Sequence, residues 1–247
     1  MIDTHVHTTY SDGKNTPREM IEAALKKGLT TIGFSDHSYT AFDESYCIKR
    51  EDVDKYVREI KALHEEYAGI IEVGLGLEQD YYSDNPDYDF DYLIGSVHYV
   101  KKAGVYIPVD ESADVLKESV ERYFGGDFYA FAEAYYENVG DLIEKTNADI
   151  IGHFDLITKF NENDVLFSTA NPRYVSAWKK AADRLTSSGA VFEINTGAIS
   201  RGYRKTPYPS KEIIDYIKSK GGLFILSSDA HNVDSLAFGF EKYSYLL

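Results

Sequence analysis

The sequence predicts an α/β barrel, and three observations carry that prediction. Short β-like runs alternate with amphipathic helical stretches, seven such runs fit within 247 residues, and six of the seven histidines fall at or just beyond the C-terminal end of a run. Alternation of this kind builds a parallel sheet with crossover helices. Seven strands in this length favour a closed barrel over an open sheet, although periodicity alone does not separate the two. In β/α barrels the C-terminal strand ends are where active sites are built.

The first strand is expected over Ile2–His7. A helix follows over Pro17–Lys27, with Thr16 as its cap, Pro17 in its first turn and Gly28 at its end. Thr31–Ser35 reads as the second strand. Glu51–Tyr67 reads as a helix because Val53, Tyr56, Val57, Ile60 and Leu63 recur at helical spacing. Ile71–Glu78 and Tyr92–His98 are the third and fourth strands, followed by helical segments at Ala113–Phe124 and Phe128–Thr146. Ile150–His153, Val191–Asn195 and Leu223–Ser228 complete the strands, with helices at Pro172–Ser187 and Ser210–Lys220 between them. Lys101–Gly126 is the least regular stretch and is expected to be a loop or lid. No repeat or linker marks a second domain, so residues 1–247 are expected to form one.

Composition narrows the function. Hydrophobic residues make up 43% of the chain, enough for a sizeable core, and the net charge is −15. An acidic surface repels polyanions, so nucleic acid is a poor partner. A small phosphorylated metabolite stays compatible, because bound metal ions reverse the local charge. Cys47 is the only cysteine, which excludes an internal disulfide and a thiolate cluster. With a strand starting at Ile2 and no apolar run long enough to span a bilayer, a cytoplasmic protein without membrane contact is expected.

The residues that carry chemistry are His5, His7, His37, His98, His153 and His231, with Glu78 and Asp229 in matching strand-end positions and Asp12 in the loop after His7. His5 and His7 are two residues apart on a strand, so both side chains share one face. Imidazole and carboxylate suit Zn²⁺, Mn²⁺ or Fe²⁺. Nine ligands exceed the four of one tetrahedral zinc ion and suit two or three divalent metal ions, with Glu78 bridging a pair. His64, mid-helix beside Glu65 and Glu66, reads as an ordinary solvated residue. Asp36 is expected to orient the His37 imidazole.

These motifs resemble the PHP (polymerase and histidinol phosphatase) family, most closely its monofunctional histidinol-phosphatase branch. The resemblance rests on Asp3-Thr-His-Val-His-Thr-Thr-Tyr-Ser-Asp-Gly13, Phe34-Ser-Asp-His37, Gly76-Leu-Glu78, Ile94-Gly-Ser-Val-His-Tyr99, Gly152-His-Phe-Asp-Leu156, Glu193-Ile-Asn-Thr-Gly197 and Ser227-Ser-Asp-Ala-His231, in family order along nearly the whole chain. It implies a distorted seven-stranded (β/α) TIM-like barrel with a trinuclear metal centre. By matching position, His5, His7, Glu78 and Asp229 would hold the first metal; Glu78, His98 and His153 the second; Asp12, His37 and His231 the third. Some family members carry histidine where Asp12 stands, so the third set departs from the pattern.

The expected reaction is hydrolysis of a phosphate monoester, with L-histidinol phosphate of histidine biosynthesis as the leading substrate. A hydroxide bridging two metals would attack phosphorus in line. The candidate catalytic residues are Glu78, Asp229 and His231, with Asp229 or a metal-bound water as proton donor to the leaving alcoholate. Arg201 is the candidate phosphate ligand, arginine being shaped for bidentate contact; Arg204 and Lys205 share its loop. Asp155 is the candidate partner for the substrate's ammonium, and Tyr39, Tyr99 and Tyr203 flank the expected mouth. The competing readings are a phosphoesterase for another small ester such as a nucleoside phosphate, a non-catalytic metal-binding module, and a metal-dependent C–N hydrolase.

Overall fold

The computed structural model describes residues 1–85 and 87–247. In chain order the regular elements are β1 (Ile2–Asp3), α1 (Pro17–Lys26), β2 (Thr31–Phe34), α2 (Val53–Glu66), β3 (Glu72–Asp80), β4 (Tyr92–Ser96), β5 (Tyr99–Lys102), β6 (Val105–Pro108), α3 (Ala113–Phe124), α4 (Phe128–Gly140), α5 (Leu142–Thr146), β7 (Ile150–Ile151), α6 (Pro172–Ser187), β8 (Val191–Asn195), α7 (Gly197–Ser200), α8 (Lys211–Ser219), β9 (Leu223–Ser227) and α9 (Phe240–Tyr243).

Seven strands form one parallel sheet in the order β1-β2-β3-β4-β7-β8-β9. The sheet closes on itself just past the regular strands. Val6 bridges Ala230 in parallel, with the Ala230 N–H donating to the His5 carbonyl at 3.1 Å and the His7 N–H to the Ala230 carbonyl at 2.9 Å. The fold is therefore a distorted seven-stranded (β/α) barrel. No helix among the described residues is long and apolar enough to cross a membrane.

Local sequence explains the helices that brace the barrel. Thr16 and Glu19 form a reciprocal capping box at α1, which buries Met20, Ile21 and Ala24. Asn171 caps α6, Pro172 occupies its first turn, and Tyr174, Trp178, Ala181 and Leu185 form its inward face. Three apolar clusters result: one between the sheet and α1–α2, a second between the sheet and α3, α4, α6 and α8, and a small third that joins Ile194 of β8 and Ile214 of α8 to Tyr243 and Leu246.

The lower lumen is filled by Tyr92 of β4. Its ring lies across Gly33 of β2 and Gly74 and Gly76 of β3, and a Cβ at Gly33 or Gly76 would collide with it. Its hydroxyl donates to the Thr4 carbonyl at 2.7 Å.

Two expectations need correction. Lys101–Gly126 is not a loop or lid: it contains most of an antiparallel hairpin, β5–β6, and all of α3. The hairpin turns on Ala103 and Gly104, both at positive φ (50° and 82°), as a two-residue primed turn requires. Alanine in the first of those positions hides the turn from sequence reading. The helical stretch Phe128–Thr146 breaks at Asp141 into α4 and α5. Gly140, a poor helix former, precedes the break, and its bare Cα lets Ala181 of α6 come close.

Candidate metal centre

Barrel geometry gathers all nine predicted ligands at the C-terminal strand ends. Glu78, in β3 and fully buried, is the hub. Its Oε2 lies 3.2 Å from His5 Nε2, 3.4 Å from His7 Nε2 and 2.9 Å from His37 Nδ1. Its Oε1 lies 3.0 Å from His153 Nε2 and 3.5 Å from His98 Nε2, and accepts a hydrogen bond from the Ser96 hydroxyl at 2.6 Å. Asp229 Oδ1 stands 3.4 Å from His7 Nε2, 3.5 Å from His231 Nδ1 and 4.0 Å from His5 Nε2. Asp12 faces His231 Nε2 at 3.2 Å, His37 Nε2 at 3.7 Å and His7 Nδ1 at 3.9 Å.

Three groups have metal-binding spacing: His5, His7 and Asp229; His37, Glu78 and His98; and His7, Asp12, His37 and His231. They overlap the implied ligand sets without reproducing them, because His7 and His37 each stand in two groups. Two donors each about 2.0–2.1 Å from one tetrahedral ion lie roughly 3.3 Å apart, which is the spacing found around Glu78. The donor atoms also fit the group. Buried His5 Nε2, both His7 nitrogens, His37 Nδ1 and Glu78 Oε2 have no hydrogen-bond partner. Buried polar atoms rarely go unpartnered, and a divalent ion would satisfy these.

Electrostatics agree. Burial drives His7 down to about 3, assisted by His231 and His37, so its ring is neutral and free to ligate. Burial alone would raise Glu78, yet His37, His5 and His98 hold it well below the usual carboxylate range. Asp229 is likewise held low against burial, chiefly by Arg201. Asp229 takes a left-handed backbone, φ 49°, a conformation that costs a non-glycine residue energy and recurs at functional sites.

Orienting carboxylates complete the centre. Glu193 of β8 accepts from His5 Nδ1 at 2.6 Å, which turns His5 Nε2 to Glu78, where it would give its lone pair to a bound ion. Its other oxygen accepts from the His153 backbone N–H and the Asn195 amide. Asp80 accepts from the His98 backbone N–H at 3.0 Å and from its Nδ1 at 3.2 Å. Sequence reasoning gave neither residue a role, although Asp80 shares the face of Glu78 two residues earlier and Glu193 stands inside a quoted motif. Asp36 accepts instead from the Thr8 backbone and side chain and from the Ser11 hydroxyl, so it fixes the loop after His7 rather than the His37 ring.

A cavity of about 530 Å³ opens over the centre. Arg201, at the end of α7, reaches it while donating to the Asp229 carboxylate and carbonyl, each at 2.9 Å, and to His231 Nδ1 at 3.1 Å. Arg204 turns away, to Thr158 and over the Tyr208 ring. Asp155 does not reach this cavity. The chain leaves β7 at Ile151 and enters a 3₁₀ turn at Leu156, which aims the buried Asp155 carboxylate at the Ser210 N–H and a separate cavity shared with Arg204. Tyr99 and Tyr203 line the mouth, whereas Tyr39 lies outside it against Glu44 and Arg50, and Tyr46 takes the expected place. Asp110 and Lys159, joined at 3.0 Å, line the same cavity and were not anticipated. His64 is half-exposed, as expected.

A parallel barrel with six histidines and three carboxylates meeting at its strand ends, an arginine beside them and an open cavity above, defines a metal-dependent phosphatase. The profile of the PHP domain matches residues 3–197, and the chain belongs to the PHP domain family, on its histidinol-phosphatase branch. A protein from Deinococcus radiodurans named probable histidinol-phosphatase is 32% identical over 97% of this chain and 90% of its own length. A candidate histidinol phosphatase from Listeria monocytogenes superposes with TM-score 0.84 at 20% identity, covering 98% of this chain and all of the other. The histidinol phosphate phosphatase of Lactococcus lactis, whose crystal structure is a complex with Zn, L-histidinol and phosphate, superposes with TM-score 0.73 at 21% identity over 99% and 91% of the two chains.

Proposed function

We propose that this chain hydrolyses L-histidinol phosphate to L-histidinol and phosphate, using two or three divalent ions held by His5, His7, Asp12, His37, Glu78, His98, His153, Asp229 and His231. The observation that carries the reading is the set of buried, unpartnered imidazole nitrogens of His5, His7 and His37 around Glu78 Oε2. The relative named for this activity supports the choice of substrate. The reading treats residues 1–247 as one unit, since Asp229 and His231 lie beyond Gly197 yet face His5, His7 and Asp12. It also places the protein in the cytoplasm, acting on a small metabolite with neither nucleic acid nor membrane as partner.

Bound ions, Zn²⁺, Mn²⁺ or Fe²⁺, would lower the pKa of water to supply a nucleophile near neutral pH and would neutralise phosphoryl charge. The chain's own residues do the rest. Glu193 and Asp80 set the tautomers of His5 and His98. Arg201 presents guanidinium N–H groups at the cavity for the phosphoryl oxygens and at the same time keeps Asp229 ionised. An ionised Asp229 would serve as a ligand, take the nucleophile's proton with His231 beside it, and return that proton to the leaving alcohol oxygen.

The test is kcat/KM for L-histidinol phosphate against a panel of small phosphate monoesters, including nucleoside monophosphates, on protein with its metal counted. A preference of about a thousandfold, some 4 kcal/mol of differential transition-state binding, is expected. Equal slow rates across the panel would keep the chemistry and discard the substrate. No turnover by loaded protein would discard both.

A further inference from the structure

The cavity over the metal centre is divided by charge. Its floor gathers the metal ligands and Arg201, the side suited to an oxyanion. Its rim carries Asp43, Asp110 and Glu111. Of these, Asp43 is committed to the Ser45 N–H and hydroxyl and to the Tyr99 hydroxyl. Glu111 is exposed. Asp110 differs from both. It follows β6, and the backbone bond from the Val109 N–H to the His98 carbonyl, at 2.9 Å, ties it to the strand end that carries His98. Lys159 holds it from the opposite side, donating to the Asp110 carbonyl at 2.8 Å and to Oδ2 at 3.0 Å. Lys159 itself is nearly buried and packs against the Phe160 and Tyr203 rings. Among the described residues, Asp110 Oδ1 receives no hydrogen bond, although the residue faces the cavity.

A phosphoryl group seated on the floor sends its alcohol portion toward this rim. A rigidly held carboxylate with one free oxygen suits a protonated amine there and opposes a second anionic group. We infer that Asp110 selects the leaving alcohol by accepting a hydrogen bond from an ammonium borne next to the ester carbon, with Lys159 as the residue that positions it. This rests on the substrate reading above and assigns the amine contact to Asp110, in place of Asp155. It also explains how a chain with acidic rim residues discriminates between phosphate esters. Neutral and cationic alcohols enter, an alcohol with a cation at this spacing gains a charge-assisted contact, and a nucleotide's further phosphates are repelled.

The experiment compares kcat/KM for L-histidinol phosphate and its N-acetyl derivative, which removes only the charge, in the wild-type protein and in Asp110→Asn and Asp110→Glu. The wild type is expected to favour the free amine. Asp110→Asn should cut that ratio by about tenfold or more, chiefly through KM, and Asp110→Glu should restore part of it. A merely structural Asp110 would lower both rates together and leave the ratio untouched, which overturns the inference while leaving the substrate reading in place. A wild-type protein indifferent to acetylation would likewise overturn the inference, and the monoester panel decides the substrate reading separately. Calorimetric binding of L-histidinol and N-acetyl-L-histidinol to metal-loaded protein with inorganic phosphate gives the same ratio without turnover, so a catalytically dead variant still decides the matter.

Discussion

In the lower lumen Tyr92 crosses between the glycines of β2 and β3, and its hydroxyl is spent on the Thr4 carbonyl. One layer higher, His5, His7 and His37 turn nitrogens that lack a hydrogen-bond partner toward Glu78. The two layers are built from the same strands. Below, Tyr92 serves packing and is complete without a ligand. Above, histidines and carboxylates are buried at a cost that only a cation offsets. Stability is therefore concentrated at one end of the barrel and chemistry at the other. Metal binding should add to stability because the native site alone is preformed.

The largest effect that tests this division is expected at Glu78. Glu78→Gln removes the charge shared by the His5–His7 and His98–His153 sides. Metal content should fall, and turnover should drop at least about a thousandfold, corresponding to loss of several kcal/mol of charge stabilisation. The metal-free variant should keep its circular dichroism spectrum. A variant that retains full metal, or one that unfolds outright, would erase the distinction between the layers.

Glu193→Gln is expected to come next. It keeps the shape but weakens the hold on His5 Nδ1, and loss of an orienting partner typically costs about 10–100-fold in metal affinity or activity. Metal affinity measured by competition with a chelator checks it. An unchanged affinity would mean that backbone packing alone orients the histidines.

What the sequence disclosed follows the same split. All seven sheet strands were legible in order, because alternation and strand-end histidines survive in the pattern itself. The period-two rule placed His5 and His7 together correctly, since the Val6–Ala230 bridge keeps that segment extended. Asp155, two residues after His153, does not share its face, because β7 ends at Ile151 and the chain is already turning. Glu193 and Asp80 were visible as carboxylates near strand ends, but whether such a group ligates or orients depends on sub-ångström placement. Asp110 was hidden because its position depends on the hairpin that brings Val109 back to His98.

A third prediction probes the lower layer. Gly33→Ala drives a Cβ into the Tyr92 ring, and overpacking of this kind costs about 1–3 kcal/mol. Thermal unfolding should show a lowered Tm, with metal stoichiometry near that of the wild type. Loss of metal in this variant, comparable to that in Glu78→Gln, would show that the layers are mechanically coupled.

The smallest expected effect is the pH dependence of metal stabilisation. In the metal-free protein burial would lower His98, but Glu78, the Asp80 hydrogen bond and the charges of Asp110 and Asp80 outweigh it and push it up to about 9. A histidine raised on folding stabilises the folded state fully below its unfolded pKa of about 6.5, and that contribution is lost as pH rises through about 9. His7 opposes it: lowered to about 3, it penalises folding as pH falls below about 6.5. The metal-free Tm should accordingly decline by a few degrees between pH 6.5 and 9. Metal competes with the His98 proton, so its stabilising effect grows over the same interval. Measuring Tm with and without chelator across that range reads the difference directly. A gap that widens with pH means the upper layer holds protons where metal would sit, and a gap independent of pH means that its histidines are neutral before any ion arrives.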